Sequence, residues 1–173
     1  DIRTPSAGNR PISYPYTKLM NSNNSVDQGA ALILTSVGKA RTLGIPEDRW
    51  VYPHAGTEAW DHLYVSERDN LHTSPAIRVT SRKLFDLTGY STNEMDYVDL
   101  YSCFPAAVQV SANEIGLSQD RALTVTGGLT FAGGPLNNYV MHSVARTVEL
   151  LRGNPGSKGL VTANGGLLTK HAL

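Results

Sequence analysis

Glycines that follow helical patterns divide this chain of 173 residues into alternating elements. Helix-like segments end at Gly44, Gly89, Gly116 and Gly153, and a strand-like run separates each from the next. The run Ala30–Ser36, "AALILTS", is typical of a strand that is buried on both faces. Strands that alternate with helices favour an α/β fold with helices on both faces of a mixed, mostly parallel sheet, for which we expect five strands.

Further strands and helices follow from local signals. Pro75 and Pro105 each stand where a helix should begin. Gly165 and Gly166 should join two closing strands in a hairpin. The remaining strand candidates are residues 49–56, 95–104 and 122–128. Ligands of parallel sheets gather at the carboxyl ends of the strands, so the turns that follow these strands are the places to look for a site.

Composition excludes several classes of protein. Fifteen basic residues balance fifteen acidic ones, so the basic excess of a nucleic-acid-binding surface is missing. The longest apolar stretch is far too short to cross a bilayer, and the chain shows no signal-peptide pattern. A single cysteine, Cys103, excludes an internal disulfide framework and fits a reducing compartment. We therefore expect a cytoplasmic protein with neither a nucleic-acid partner nor a membrane span.

The stretch "VTGGLTFAGGPLNNY", residues 125–139, is the most unusual turn. Gly128 and Gly133 have the spacing of a phosphate-binding loop, but the Lys and Ser/Thr of that motif are absent, which argues against a nucleoside triphosphate. Free N–H groups at the start of the following helix could instead hold a carbonyl oxygen or a thioester. The alternative is a tight turn that only lets a helix pack closely on the sheet.

Few other side chains suggest chemistry. The five histidines have no metal-ligand spacing and no cysteine cluster beside them, so we expect no metal. Cys103 precedes a helix start, where a thiolate can be favoured, but a lone cysteine is commonly a small buried apolar residue. Tyr101 and Ser102 lie at the same strand end, so one of them should face the cleft. The Asn- and Ser-rich residues 21–28 form either a solvated turn or a polar loop that binds an amide-rich ligand arm.

Four motifs in this order resemble the C-terminal half of the thiolase superfamily, over nearly the whole chain from Lys18 to Leu173. "NSNNSVDQGAALIL" resembles a family segment that runs through Asp-Gly-Ala-Ala into a strand. "VDLYSCFPAAVQ" stands where the family has Asn-Glu-Ala-Phe-Ala, and "VTGGLTFAGGPLNN" is similar to its Gly-Gly and Gly-His-Pro loop. "LVTANGGLLT" takes the place of the Cys-x-Gly motif. The pattern is most similar to acetyl-CoA acetyltransferases near the sterol-carrier-type thiolases.

The resemblance implies transfer of acyl groups on coenzyme A thioesters, with no further cofactor. The family uses a nucleophilic Cys in its N-terminal half, a His in Gly-His-Pro and a second Cys in Cys-x-Gly. Here Gly134 stands at the His position, Thr162 near the second Cys position, and Tyr101 at the Asn of Asn-Glu-Ala-Phe. Glycine carries no proton and a threonine hydroxyl is far too basic to replace a thiol, so standard thiolysis by this half is not expected.

The residues that the resemblance assigns to a site fall into two groups. Candidate catalytic residues are Tyr101 and Asn164. Candidate CoA-binding residues are Asn24, Ser25, Gly133 and Gly134. Residues 1–24 would be an irregular lead-in from a missing N-terminal half, and residues 25–173 an α/β domain that is truncated at its C-terminus. Its partners would be an acyl-CoA, the missing half and further copies in a thiolase-type oligomer.

Three functions fit this reading. The first is an acyltransferase-like protein that binds a CoA thioester. The second is a carbon–carbon lyase that cleaves a hydroxyacyl-CoA by a retro-aldol reaction, with Tyr101 as its acid/base. The third is a non-catalytic module that binds CoA or lipid, or that only completes a dimer.

Overall fold

The computed structural model describes residues 1–173 and contains five α-helices and seven short strands. The helices are α1 (Val37–Thr42), α2 (Pro75–Thr88), α3 (Pro105–Ile115), α4 (Gly128–Phe131) and α5 (Tyr139–Gly153). The strands are β1 (Pro11–Ser13), β2 (Tyr16–Thr17), β3 (Glu58–Trp60), β4 (Tyr97–Asp99), β5 (Gly159–Val161), β6 (Ala163–Gly165) and β7 (Lys170–Ala172). The predicted α/β fold is confirmed.

The two central helices begin and end where the sequence predicts. The Ser74 hydroxyl caps α2 by accepting a hydrogen bond from the Ile77 N–H at 3.2 Å, and Pro75 occupies the first turn. Gly89 ends α2 with a φ of 71°, a left-handed conformation that glycine adopts without steric cost. Gly116 ends α3 in the same way, with a φ of 82°. Because these signals are local, they fix the helix ends regardless of what the helices pack against.

The strand pairing differs from the single five-stranded, mostly parallel sheet that the sequence predicts. Only β4 and β5 pair in parallel, with Val98 opposite Leu160. The closing hairpin is confirmed as β6–β7, and β3 pairs with the outer side of β7 in a three-stranded antiparallel sheet. A third, two-stranded sheet, β1–β2, lies within residues 1–24, which we expected to be irregular.

Three predicted strands are not strands in the structure. Residues 30–36 form no ladder, and Ile33 and Leu34 are 95% and 79% exposed, so the expectation of a strand buried on both faces is wrong for this chain. Residues 49–56 are also unpaired, and the strand after them is β3. In residues 122–128 the Leu123 carbonyl accepts one hydrogen bond from the Leu100 N–H at 2.9 Å, without a ladder. An apolar run forms a strand only where a neighbouring strand supplies a series of backbone hydrogen bonds, and none of these three runs has such a series.

The hydrophobic core lies where α2 and α3 pack against the parallel pair β4–β5. Ten buried side chains form it: Ile77, Leu84, Met95, Val98, Leu100, Val110, Ala112, Ile115, Leu117 and Leu160. This core fixes the carboxyl end of β4, from which residues 101–103 lead into α3. No helix of the structure combines the length and apolarity needed to cross a membrane.

Candidate functional site

The glycine loop, residues 125–138, is covered by residues of the same chain. The polar loop, residues 21–28, which forms neither helix nor strand, packs against it. The Gly134 N–H donates to the Asn23 carbonyl at 2.8 Å, and the Asn23 N–H donates to the Leu129 carbonyl at 3.0 Å. The Gln28 side-chain amide donates to the Ala132 carbonyl at 2.8 Å. Backbone groups that the sequence analysis left free for a ligand are therefore partly used within the protein.

The packing of the polar loop on the glycine loop explains why positions 133 and 134 are both glycine. A Cβ atom on Gly133 would lie 2.8 Å from Gln28 Oε1, and Gly133 has a φ of 98°. A Cβ atom on Gly134 would overlap the Ser22 Oγ and lie 3.1 Å from Asn24 Oδ1. The position at which the resemblance places a histidine therefore has no room for a side chain, because Ser22 fills it.

The predicted CoA-binding residues lie close together only in part. Asn24 contacts the glycine loop at Gly134 and accepts a hydrogen bond from the Ser22 hydroxyl at 2.7 Å. Ser25 is exposed, and its N–H donates to Asn23 Oδ1 at 3.1 Å, which is the Asx turn expected for a solvated loop. Gly133 and Gly134 are buried beneath the polar loop.

Asp99, the last residue of β4, is fully buried and holds the surrounding elements together. Its Oδ1 accepts hydrogen bonds from the Tyr139 hydroxyl at 2.8 Å and from the Ser143 hydroxyl at 2.7 Å, both on α5. Its Oδ2 accepts from the Thr124 hydroxyl and the Val125 N–H, each at 2.9 Å. The glycine loop and α5 are thus both anchored to the carboxyl end of β4. Asp99 was not predicted as a functional residue from the sequence, although an acidic residue inside the apolar run of a predicted strand is a usable signal.

A cavity of about 160 Å³ brings the two candidate catalytic residues together. Tyr101 and Asn164 line it with side chains from the glycine loop and α5, namely Leu136, Asn137, Tyr139 and Val140. The rings of Tyr101 and Tyr139 meet edge to face, with centroids 5.5 Å apart. The predicted pair therefore shares one pocket although the two residues are far apart in sequence.

One polar side-chain atom of Asn164 has a hydrogen-bond partner, and the other has none. Its Nδ2 donates to the Cys103 Sγ at 3.6 Å, whereas its Oδ1 is buried and has no hydrogen-bond donor. Thr162 is buried, and its hydroxyl accepts a hydrogen bond from the Tyr101 N–H at 2.9 Å. The Thr162 hydroxyl therefore holds the backbone of Tyr101, while the Asn164 side-chain oxygen is a buried acceptor without a hydrogen-bond partner.

Burial shifts the pKa of two side chains at this site, the Tyr101 phenol and the Cys103 thiol. Burial raises the pKa of the Tyr101 phenol, and the neighbouring Cys103 raises it further. Burial also raises the pKa of the Cys103 thiol, against smaller opposite effects of hydrogen bonds from Phe104 and Asn164. Of the two interpretations of Cys103, burial favours the small buried apolar residue over the thiolate, and Tyr101 is a hydrogen-bond donor at neutral pH.

A second, larger cavity contains none of the predicted site residues. Its volume is about 220 Å³ and its surface is almost entirely apolar, between the glycine loop at Gly127–Gly128 and the start of α3 at Pro105. No group of three or more His, Cys, Asp and Glu side chains is placed to hold a metal ion.

Comparison with solved structures identifies the class of fold. The chain superposes on the crystal structure of a monomeric SCP2-thiolase-like protein type 1 from Mycobacterium smegmatis with a TM-score of 0.84 and 35% sequence identity. The match covers 98% of this chain and 37% of that protein, so the chain spans little more than a third of the length of its relative. A scan against protein-family models finds no match. The chain has a thiolase-like α/β fold.

Proposed function

We propose that this chain contributes the binding site for a coenzyme A thioester in a thiolase-like protein of the acetyl-CoA acetyltransferase type. The observation that carries the proposal is the shared cavity of Tyr101 and Asn164 beside the glycine loop. A protonated phenol is a donor for the thioester carbonyl oxygen. The unpartnered Asn164 Oδ1 is an acceptor for an N–H of the ligand, and leaving it unpaired costs about 1–3 kcal/mol.

At the positions that match the thiolase motifs, this chain has no acid/base groups for standard thiolysis. Gly134 has no side chain, and Ser22 occupies the space in which one would stand. Thr162 holds the Tyr101 N–H with its hydroxyl and has no thiol to exchange protons. We therefore propose binding, with carbonyl polarisation by Tyr101, as the contribution of this chain.

Titration calorimetry of the full-length protein with acetyl-CoA tests this function. We expect saturable binding that Tyr101→Phe weakens about tenfold, since the variant keeps the ring and removes only a hydrogen-bonding hydroxyl. Tyr64→Phe is the matched control because Tyr64 is 63% exposed and lies outside the cavity. The proposal fails if acetyl-CoA does not bind, or if both variants bind like the unmodified protein.

The place of the Tyr101 phenol in the cavity supports a second candidate function, the retro-aldol cleavage of a hydroxyacyl-CoA. In that reaction the carbon–carbon bond breaks as the substrate hydroxyl loses its proton and becomes a carbonyl group, and the released enolate of the CoA thioester gains a proton. The Tyr101 phenol would donate a proton to the enolate and regain one from the substrate hydroxyl, so that no proton is gained or lost overall. In this case Tyr101→Phe would abolish lyase turnover and leave acetyl-CoA affinity nearly intact. Unchanged turnover in Tyr101→Phe would exclude this alternative.

The exposed apolar segment at residues 30–36 supports the proposed partners. Ile33 and Leu34 are among the most exposed apolar side chains of the chain, and the backbone around them forms no ladder. Exposed apolar side chains of this kind are typical of a surface that another segment or a partner covers. We propose that the other part of a thiolase-like protein, or a second copy of this chain, covers it.

A further inference from the structure

A buried polar cluster beside the closing hairpin lies outside the cavity of the proposed ligand site. It consists of Asp61, Ser74 and His171, and Ser74 and His171 are 1% and 4% exposed. The His171 Nε2 lies 3.3 Å from Asp61 Oδ2 and 3.4 Å from the Ser74 Oγ. The Ser74 hydroxyl donates to Asp61, and Asp61 Oδ1 accepts from the Ala76 N–H at 3.1 Å. These contacts hold His171 against the first turn of α2.

Other charged groups surround the cluster. From the turn before α2, the Arg68 guanidinium donates to the Thr169 hydroxyl at 3.1 Å. From α3, Glu114 Oε1 accepts from the Ser74 N–H at 2.9 Å, and Arg78 of α2 pairs with the same carboxylate. The charged groups around the cluster are thus the carboxylates of Asp61 and Glu114 and the guanidinium groups of Arg68 and Arg78.

The same hairpin carries the ligand-site residue Asn164. In the β6–β7 ladder Asn164 stands directly opposite His171, and in the β3–β7 ladder Ala59 stands on the other side of His171. Cross-strand neighbours of this kind move together because two backbone ladders fix their separation. A change that moves His171 away from α2 therefore moves Asn164 in the cavity.

We propose that His171 is a positioning residue for Asn164: the neutral imidazole, held by Asp61 and Ser74, keeps the β6–β7 hairpin against α2, and acid releases the hairpin. The proposal rests on the proposed function only where it assigns Asn164 to a ligand site. The acid-sensitive contact itself is a property of the fold and is tested without a ligand.

The direction of the pH effect follows from burial. Burial lowers the pKa of His171, and the Leu168 carbonyl and the Asp61 charge oppose this only in part. A histidine whose pKa is lower in the closed hairpin than its ordinary value of about 6.5 takes up a proton more readily when the hairpin opens. The closed hairpin is thus fully favoured above about pH 6.5, and this stabilisation is lost as the pH falls through the lowered pKa.

Hydrogen exchange of the full-length protein tests the release. Protection of peptides that cover residues 163–172 is measured at about pH 7.5 and about pH 5.5, after correction for the pH dependence of intrinsic exchange. We expect the open population of the hairpin to rise about threefold or more at the lower pH, while peptides from α5 keep their protection. Equal protection of the hairpin at both values, or an equal loss in α5, would overturn the proposal.

Two matched substitutions assign the effect to His171. His171→Gln keeps a polar side chain that cannot gain a proton, so the pH dependence of hairpin protection should disappear. His62→Gln is the control, because His62 is exposed and adjacent to Asp61 in sequence, and it should retain the full dependence. A pH effect that persists in His171→Gln contradicts the proposal. If His171→Gln does not fold, the comparison of the hairpin with α5 in the unmodified protein still decides it.

Acetyl-CoA titrations at the same two pH values then connect the hairpin to the ligand site. We expect the affinity of the unmodified protein at the lower pH to fall in proportion to the closed fraction of the hairpin that hydrogen exchange reports, and the affinity of His171→Gln to stay constant. Absence of acetyl-CoA binding at both values would refute the proposed function and leave the exchange result standing. Binding that is independent of pH while the hairpin opens would refute the positioning role of His171.

Discussion

At Gly134, the packing of the polar loop decides which side chains are tolerated. A Cβ atom there overlaps the Ser22 hydroxyl, so Gly134→Ala should lower the free energy of unfolding by about 1–3 kcal/mol. Gly38→Ala is the control: Gly38 lies in α1 with no atom near its Cβ position, and this substitution should stabilise by about 0.5–1 kcal/mol. Chemical denaturation measures both, and an unchanged stability of Gly134→Ala would show that the polar loop does not pack as described.

The Gly134 contact also means that one substitution cannot restore a thiolase-type histidine. The imidazole would need the space of Ser22, so Gly134→His should destabilise at least as much as Gly134→Ala. Removing the Ser22 side chain by Ser22→Gly should recover part of the loss in the double variant, which a double-mutant cycle would detect as coupling. Purely additive effects would argue that the two residues do not touch.

The two carboxylate oxygens of Asp99 accept hydrogen bonds from donors in the glycine loop and in α5. Asp99→Asn keeps the shape but replaces one acceptor with an amide donor that must face other donors. We expect a loss of about 3 kcal/mol in the free energy of unfolding, because buried donors remain unpaired. Asp86→Asn on the exposed side of α2 is the control and should change stability by less than about 0.5 kcal/mol. Equal free energies of unfolding for the two variants would show that Asp99 does not hold the glycine loop and α5 together.

At the scale of elements, the glycine loop stores backbone strain beside the cavity. Leu136 has a φ of 47° although it carries a side chain, and that side chain is 78% exposed. A left-handed conformation costs a branched residue about 1 kcal/mol, whereas asparagine tolerates it. Leu136→Asn should therefore stabilise by about 0.5–1 kcal/mol, and Leu167→Asn, at an exposed leucine without such a φ, should be neutral. Destabilisation by Leu136→Asn would mean that the exposed leucine packs on something.

Elements with local signals were predictable from the sequence, and elements that depend on distant partners were not. The Ser74 cap, Pro75 and Gly89 define α2 without reference to the rest of the chain, so its bounds were predicted almost to the residue. Residues 30–36 satisfy every local rule for a strand, but strand formation requires a neighbour that this chain does not place there.

In the candidate site, too, residues with local signals could be predicted, whereas contacts between distant residues could not. Tyr101 and Asn164 could be proposed from the sequence because each lies near the end of a predicted strand and within a family-like motif, and the structure places both in one cavity. The contact between Ser22 and Gly134 could not be found, since it joins residues more than a hundred positions apart through side-chain packing. The hydrogen bonds of Asp99 are equally non-local, because they join β4, the glycine loop and α5.

At the scale of the whole molecule, the uncovered segment at residues 30–36 should control association. The 173-residue chain should self-associate, and replacing Ile33 and Leu34 with serine should reduce this, since both side chains are exposed and unpaired. Leu63→Ser is the control at a 67% exposed leucine outside the segment. Sedimentation velocity measures the distribution of species. A monodisperse monomer of the unsubstituted chain would contradict the proposed covering of this segment.

The most direct test of the central proposal is the footprint of acetyl-CoA on the full-length protein, measured by hydrogen exchange. The proposed site predicts that saturating acetyl-CoA protects three segments. These are residues 101–103 after β4, the end of the glycine loop at residues 136–138, and the β6–β7 hairpin at Asn164. Amides in α2, remote from the cavity, should exchange as before. Protection confined to the apolar cavity between Gly127 and the start of α3, or no protection anywhere in these segments, would contradict it.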